Sequence, residues 1–128
     1  MVFLFGASDS GGGDQPVLSQ TPLVRGANAT FTVTGALPGE TVYYYYSFAG
    51  VGGATYCPPE FGGLCLDLLT PVVQAGTASA DATGTARLTR RIPPSAPLRD
   101  VSTQAAIARG PGGADSVKSN TVTAPITR

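Results

Sequence analysis

Histidine and tryptophan are both absent from the 128-residue chain, and Lys, Arg, Asp and Glu together fill only 12% of it, about half the usual share. Without His the commonest general base, and the commonest nitrogen ligand for a metal, are missing before any motif is considered. Without Trp the strongest ring for stacking on sugars is missing as well. Eight basic residues balance eight acidic ones, so no field suited to a polyanion follows and a nucleic-acid partner is not expected. Long apolar runs are also scarce. The longest uncharged stretch, Thr41–Pro59, is broken by the Tyr43–Tyr46 quartet, three Gly and two Pro, which rules it out as a membrane-crossing helix.

Cysteine occurs only twice, as Cys57 and Cys65, in a segment that also carries Pro58, Pro59, Gly62 and Gly63. The two can pair only with each other. A bridge closing so short a loop would contribute roughly 2 to 3 kcal/mol by restricting the unfolded chain, and it requires an oxidising compartment. The competing reading is two reduced thiols in a cytosolic loop; a two-thiolate metal site lacks the further ligands it needs.

What the chain has in abundance is turn formers and strand formers. Seventeen Gly and eleven Pro make up about a fifth of it, yet 42% hydrophobic content supplies a core for one domain. Ala29–Thr34 alternates without fault, placing Ala29, Phe31 and Val33 on one face and three Thr on the other. Leu37-Pro38-Gly39-Glu40 then predicts a turn, since Pro presets one dihedral and Gly tolerates the positive one. Thr41–Phe48 resumes as a strand with Val42, Tyr44, Tyr46 and Phe48 on one side and Tyr43, Tyr45 and Ser47 on the other. Leu66–Ala75 is a second apolar stretch with an irregular entry at Pro71. Ala78–Thr89 predicts a hairpin turned by Asp81 and Gly84 and closed off by Pro93 and Pro94. Asp100–Arg109 alternates again, its second face made of the small residues Ser102, Ala106 and Ala108 with Gln104. Ser116–Ile126 predicts a last strand with Val122, Ala124 and Ile126 on one face. No window shows helical spacing. The expected fold is therefore all-β: a single antiparallel two-sheet sandwich of about seven strands.

The strand and turn grammar of Phe31-Thr-Val-Thr-Gly, Leu37-Pro-Gly-Glu-Thr-Val-Tyr, Asp81-Ala-Thr-Gly-Thr-Ala and Ser119-Asn120-Thr-Val-Thr resembles that of immunoglobulin-like and fibronectin type III-like domains of bacterial secreted and surface proteins. The resemblance covers roughly residues 17–126. The inter-sheet disulfide and Trp of antibody domains have no counterpart. Such domains mostly serve as spacers, adhesin stalks, assembly subunits or binding modules, so the resemblance implies scaffold work in an extracellular, cell-surface or periplasmic setting.

Residues 1–15 read as a separate unit ahead of a sandwich over 16–128. Val2, Phe3, Leu4 and Phe5 precede Gly6, Ser8 and the Gly11–Gly13 run, which fits either the remnant of an export signal or an apolar arm on a flexible tether that adds a strand to a neighbouring copy. Asn28-Ala29-Thr30 fits the N-glycosylation acceptor pattern, a triplet that also arises often by chance.

Chemistry finds little purchase. Ser116 and Lys118 share a strand face as a candidate nucleophile and base, but a solvated Lys beside a polar Ser is the far simpler account of the pair. Calcium would have to be held by Asp67, Asp81, Asp100 or Asp115, and no run of alternating Asp is present, so no metal or cofactor is expected. Arg87, Arg90 and Arg91, with Arg99 and Arg109 nearby, read as gatekeeping charges on a solvated sheet edge. The Tyr quartet sends Tyr43 and Tyr45 away from the main core, where they join Tyr56 and Phe61 as a candidate aromatic contact patch for glycans or subunits. The sequence thus predicts a non-catalytic exported assembly module, a filament-like subunit whose partners are copies of itself, or alternatively a carbohydrate- or ligand-binding module that meets a glycan or a surface protein.

Overall fold

A computed structural model describes residues 15–128, so the expected arm at Val2, Phe3, Leu4 and Phe5 lies outside the described residues. Eleven strands account for nearly all its regular structure: β1 (Val17–Gln20), β2 (Leu23–Val24), β3 (Asn28–Thr34), β4 (Thr41–Ser47), β5 (Val51–Tyr56), β6 (Leu66–Leu68), β7 (Val73–Ser79), β8 (Ala86–Arg91), β9 (Asp100–Ile107), β10 (Val117–Lys118) and β11 (Val122–Thr127). Two single 3-10 turns, at Pro59–Phe61 and Pro111–Gly113, complete the set. No helix among the described residues is long and apolar enough to cross a membrane.

The all-β expectation holds, and the sheets number three, one of them curled into a half-barrel. A three-stranded sheet runs β1-β3-β8. A six-stranded sheet runs β2-β11-β9-β4-β7, with β10 also beside β9, and β5 and β6 form a separate two-stranded hairpin. Every pairing is antiparallel except that of β2 with β11.

The main core lies between the first two sheets. Ala29, Phe31 and Val33 from β3 and Ala86 and Leu88 from β8 meet Val42 and Tyr44 from β4 and Val101, Ala105 and Ile107 from β9. These are the inward faces that period-two alternation defines, and each fully buried aliphatic side chain contributes about 1.5 to 3 kcal/mol by leaving water. The Tyr44 hydroxyl, sealed inside, donates to the Ala86 carbonyl at 3.0 Å, which removes the penalty of an unpaired buried polar group.

Two expectations need correction. β7 and β8 are not a hairpin: β7 pairs with β4 and β8 with β3, so the Asp81–Gly84 turn carries the chain from one sheet to the other. The turn itself is as expected, closed by Gly84 N–H to the Asp81 carbonyl at 3.0 Å. The segment 116–126 is likewise two strands, because Asn120 is taken out of the ladder. Its amide accepts from the Leu18 N–H at 2.8 Å and donates to the Leu18 carbonyl at 3.1 Å, plugging the open edge of β1 as a neighbouring strand would.

The sheets also approach along β7 and β8. A bulge on β7, where Tyr44 pairs with Gly76 and Tyr45 with Gln74, turns the Ala75 carbonyl toward Arg90, whose Nε donates to it at 2.9 Å. Gly76 permits the approach: a Cβ there would lie 2.7 Å from the Arg90 guanidinium and 3.3 Å from Leu88.

Candidate functional site

The residues singled out for chemistry are spent on structure. The Ser116 hydroxyl donates to the Gly113 carbonyl and accepts from the Arg109 N–H, while Lys118 Nζ reaches the Cys65 carbonyl and Asp67 Oδ1, both at 2.9 Å. They do not face each other as nucleophile and base. Asp67 is held by Gln104 as well as Lys118. Burial works against its ionisation, but these hydrogen bonds prevail and keep its carboxyl below the ordinary range. Asp81 caps its own turn, with the Thr83 hydroxyl and then the Thr85 and Thr83 amides lowering its pKa. Among the described residues no three Cys, Asp or Glu converge as a metal site would require.

Cys57 and Cys65 are bonded to each other, as the first of the two readings has it. The disulfide closes the loop that joins β5 to β6, and this hairpin forms a flap lying over the outer face of β4 and β9. Beneath it Tyr43, Tyr45, Tyr56 and Phe61 do come together: Tyr45 meets Tyr56 and Phe61 edge-on at 5.9 and 6.2 Å, and Tyr43 meets Phe61 at 5.4 Å. They form packing rather than an open platform, since Tyr45 and Phe61 are each 1% exposed and close a second core with Leu66, Leu68 and Ala106. Burial also raises the Tyr45 hydroxyl pKa. Seen from the sheet, the second face of β9 explains itself: its small Ser and Ala residues let the flap approach. Gln104, with no exposed surface, bonds the flap at the Asp67 amide (2.8 Å) and carboxylate (2.9 Å) and the Ser119 carbonyl at 2.8 Å.

The two ends of the molecule differ. At the end holding the turn at Gly35–Glu40, Arg109 grips Glu40 with two hydrogen bonds of 2.7 Å. The Arg109 guanidinium holds the Glu40 carboxyl below its ordinary pKa, and the bonds to Glu40 raise that of Arg109 in turn. At the opposite end the sheets part around a cleft of about 510 Å³. Its floor is apolar, built from Leu23, Phe31, Tyr44 and Val101, with Thr103 as a buried hydroxyl. Tyr46 and Phe48, packed edge-to-face at 5.9 Å, form one wall.

Arginines frame this opening. Arg90 and Arg91 line it, each committing Nε to a backbone carbonyl, of Ala75 and Gly26 respectively. Arg99 lies over the Phe48 ring at 5.5 Å and donates to the Phe48 carbonyl, and Arg25 donates to the carbonyl of the lining residue Ala96 at 2.7 Å. No Asp or Glu lines the cleft. Ion pairs among the described residues are Arg87–Asp81, Arg109–Glu40 and Lys118–Asp67, so none of the four framing arginines has a carboxylate partner there. The expected arginine group is thereby divided: Arg90, Arg91 and Arg99 gather at the cleft, Arg87 faces Asp81, and Arg109 sits at the other end.

The sequence showed the arginines but not the cleft, which arises where two sheets diverge and has no local signal. The Glu40–Arg109 pair, 69 residues apart, had none either. Comparison with protein-family models, curated proteins and solved structures found no match to the chain.

Proposed function

We propose that the chain is an exported, non-catalytic module of immunoglobulin-like type that works by assembly, as a subunit of a cell-surface or extracellular filament-like structure, with the arginine-framed cleft as its contact site. Strand order supports the fold reading. With β1, β3 and β8 read as strands A, B and E, and β11, β9, β4 and β7 as G, F, C and C′, the order follows that of a variable-type immunoglobulin sandwich without strands C″ and D. The internal disulfide is compatible with an oxidising compartment.

The observation that carries the function is the cleft: an apolar floor framed by arginines that have no carboxylate partner among the described residues. Sedimentation velocity of the oxidised full chain tests it. Mass should rise with concentration at low salt; a monomer throughout the micromolar to millimolar range sinks the assembly reading.

The size of the cleft favours the second reading, a ligand-binding module, because about 510 Å³ falls within the range of small-molecule sites. Its ligand would be an anionic amphiphile seated between Tyr46 and Arg91, not a sugar stacked on Tyr43 and Tyr45. Titration with dodecanoate, read by Tyr fluorescence, distinguishes the two readings.

A further inference from the structure

We propose that the cleft is filled by the Leu37 turn of a second copy, so that molecules join head to tail. This rests on the assembly reading and names its partner surface. Leu37, at the tip of the turn, is 58% exposed, the most exposed large apolar side chain among the described residues. The turn holding it is rigid. Glu40 accepts the Leu37 N–H at 2.7 Å and donates its own N–H back to the Leu37 carbonyl at 3.1 Å, Gly39 N–H bonds the Ala80 carbonyl at 2.9 Å, and Arg109 clamps Glu40 from the far side. A knob already fixed in shape loses little conformational freedom on docking.

Charge complements shape. Toward the knob end Glu40, Glu60, Asp67, Asp81 and Asp115 outnumber Arg87, Arg109 and Lys118, whereas Arg25, Arg90, Arg91 and Arg99 frame the cleft with Asp100 at the start of β9. Strand registers put these groups at opposite ends of the sheets. Arg91 pairs with Asn28 at the start of β3, and the Leu37 turn follows the other end of that strand, past Thr34. A neutral chain is therefore polar along its strand axis. The apolar cleft admits the Leu37 and Pro38 side chains while Asp81 and its neighbours meet the arginines. Because knob and cleft lie at opposite ends, the contact is heterologous and does not close on itself, so it propagates as a row.

The test uses the full oxidised chain and two variants, Leu37→Asp and the double change Arg90→Glu with Arg91→Glu, with circular dichroism verifying the fold of each. Wild type should form a concentration-dependent series of oligomers that shortens as salt rises. Each variant alone should associate about tenfold more weakly or not at all. Mixed together, they should recover dimers but nothing longer, because Leu37→Asp retains a sound cleft and the arginine variant a sound knob. Wild-type assembly that both variants leave intact overturns the inference while the assembly reading survives. A wild type that stays monomeric removes both.

Discussion

The two faces of β4 and β9 are both buried, by different means. The inner face meets another sheet through Val42, Tyr44, Ala105 and Ile107, residues drawn from strands far apart in the chain. The outer face meets a flap of some twenty residues, the β5–β6 region, stapled by one disulfide and anchored through Gln104, Asp67 and Lys118. One core defines the domain and the other is an attachment to it. The small outer residues of β9 serve this attachment, since Ala106 lies beneath the flap. Backbone contact seals it at one corner: a Cβ on Gly62 would come within 2.6 Å of the Gly113 carbonyl oxygen, so the Pro59–Phe61 turn lies directly on the loop after β9.

The sharpest test compares one ring from each core. Tyr44→Ala removes a side chain with no exposed surface and strands the Ala86 carbonyl, and it should cost about 3 to 5 kcal/mol in chemical denaturation. Phe61→Ala empties an equally buried site, but its effect should stay local. Hydrogen exchange should lose protection over 51–68 while β3 and β9 keep theirs. If Phe61→Ala instead weakens protection of β3 as much as Tyr44→Ala does, the two cores are one cooperative unit and the distinction fails.

Next in size is the staple. Replacing Cys57 and Cys65 together by Ser should remove about 2 to 3 kcal/mol, the closure entropy of an eight-residue separation. The same exchange experiment should place that loss in the flap. A variant with the flap fully protected would mean that Gln104 and the aromatic packing suffice to hold it.

How much of this was legible depended on whether the information was local. The alternation of Ala29, Phe31 and Val33 named their burial correctly, because a strand's two faces follow from its backbone. Tyr43 and Tyr45 were correctly set on the opposite side from Tyr44, but period two says which way a ring points and not what covers it; the cover came from the flap. The Asp81 turn misled for the same reason. Its hydrogen bonds are the same whether the flanking strands pair or part, and only their partners β3 and β4 decide. Asn120 ended a strand without a Gly or Pro because its amide was wanted at the edge of β1, a contact 102 residues distant. The cleft was least legible of all, being the gap left where two sheets diverge.

The smallest expected effect belongs to the end of the molecule farthest from the cleft, and it has a pH signature. Glu40 is only 17% exposed and doubly bonded to Arg109, and those bonds hold its carboxyl below the usual pKa. A carboxyl with a lowered folded-state pKa binds protons more readily when unfolded. Its stabilisation is therefore complete above the ordinary carboxylate value and fades as pH falls through the lower folded one. Glu40→Gln keeps the shape and one acceptor, so near pH 7 it should cost about 1 to 2 kcal/mol. Thermal melts of variant and wild type should then converge as the medium is acidified through that window, since the protonated wild type has lost the same charge. A gap that stays constant with pH would mean the pair contributes through packing alone, and that the Leu37 turn is held by its backbone bonds without the help of charge.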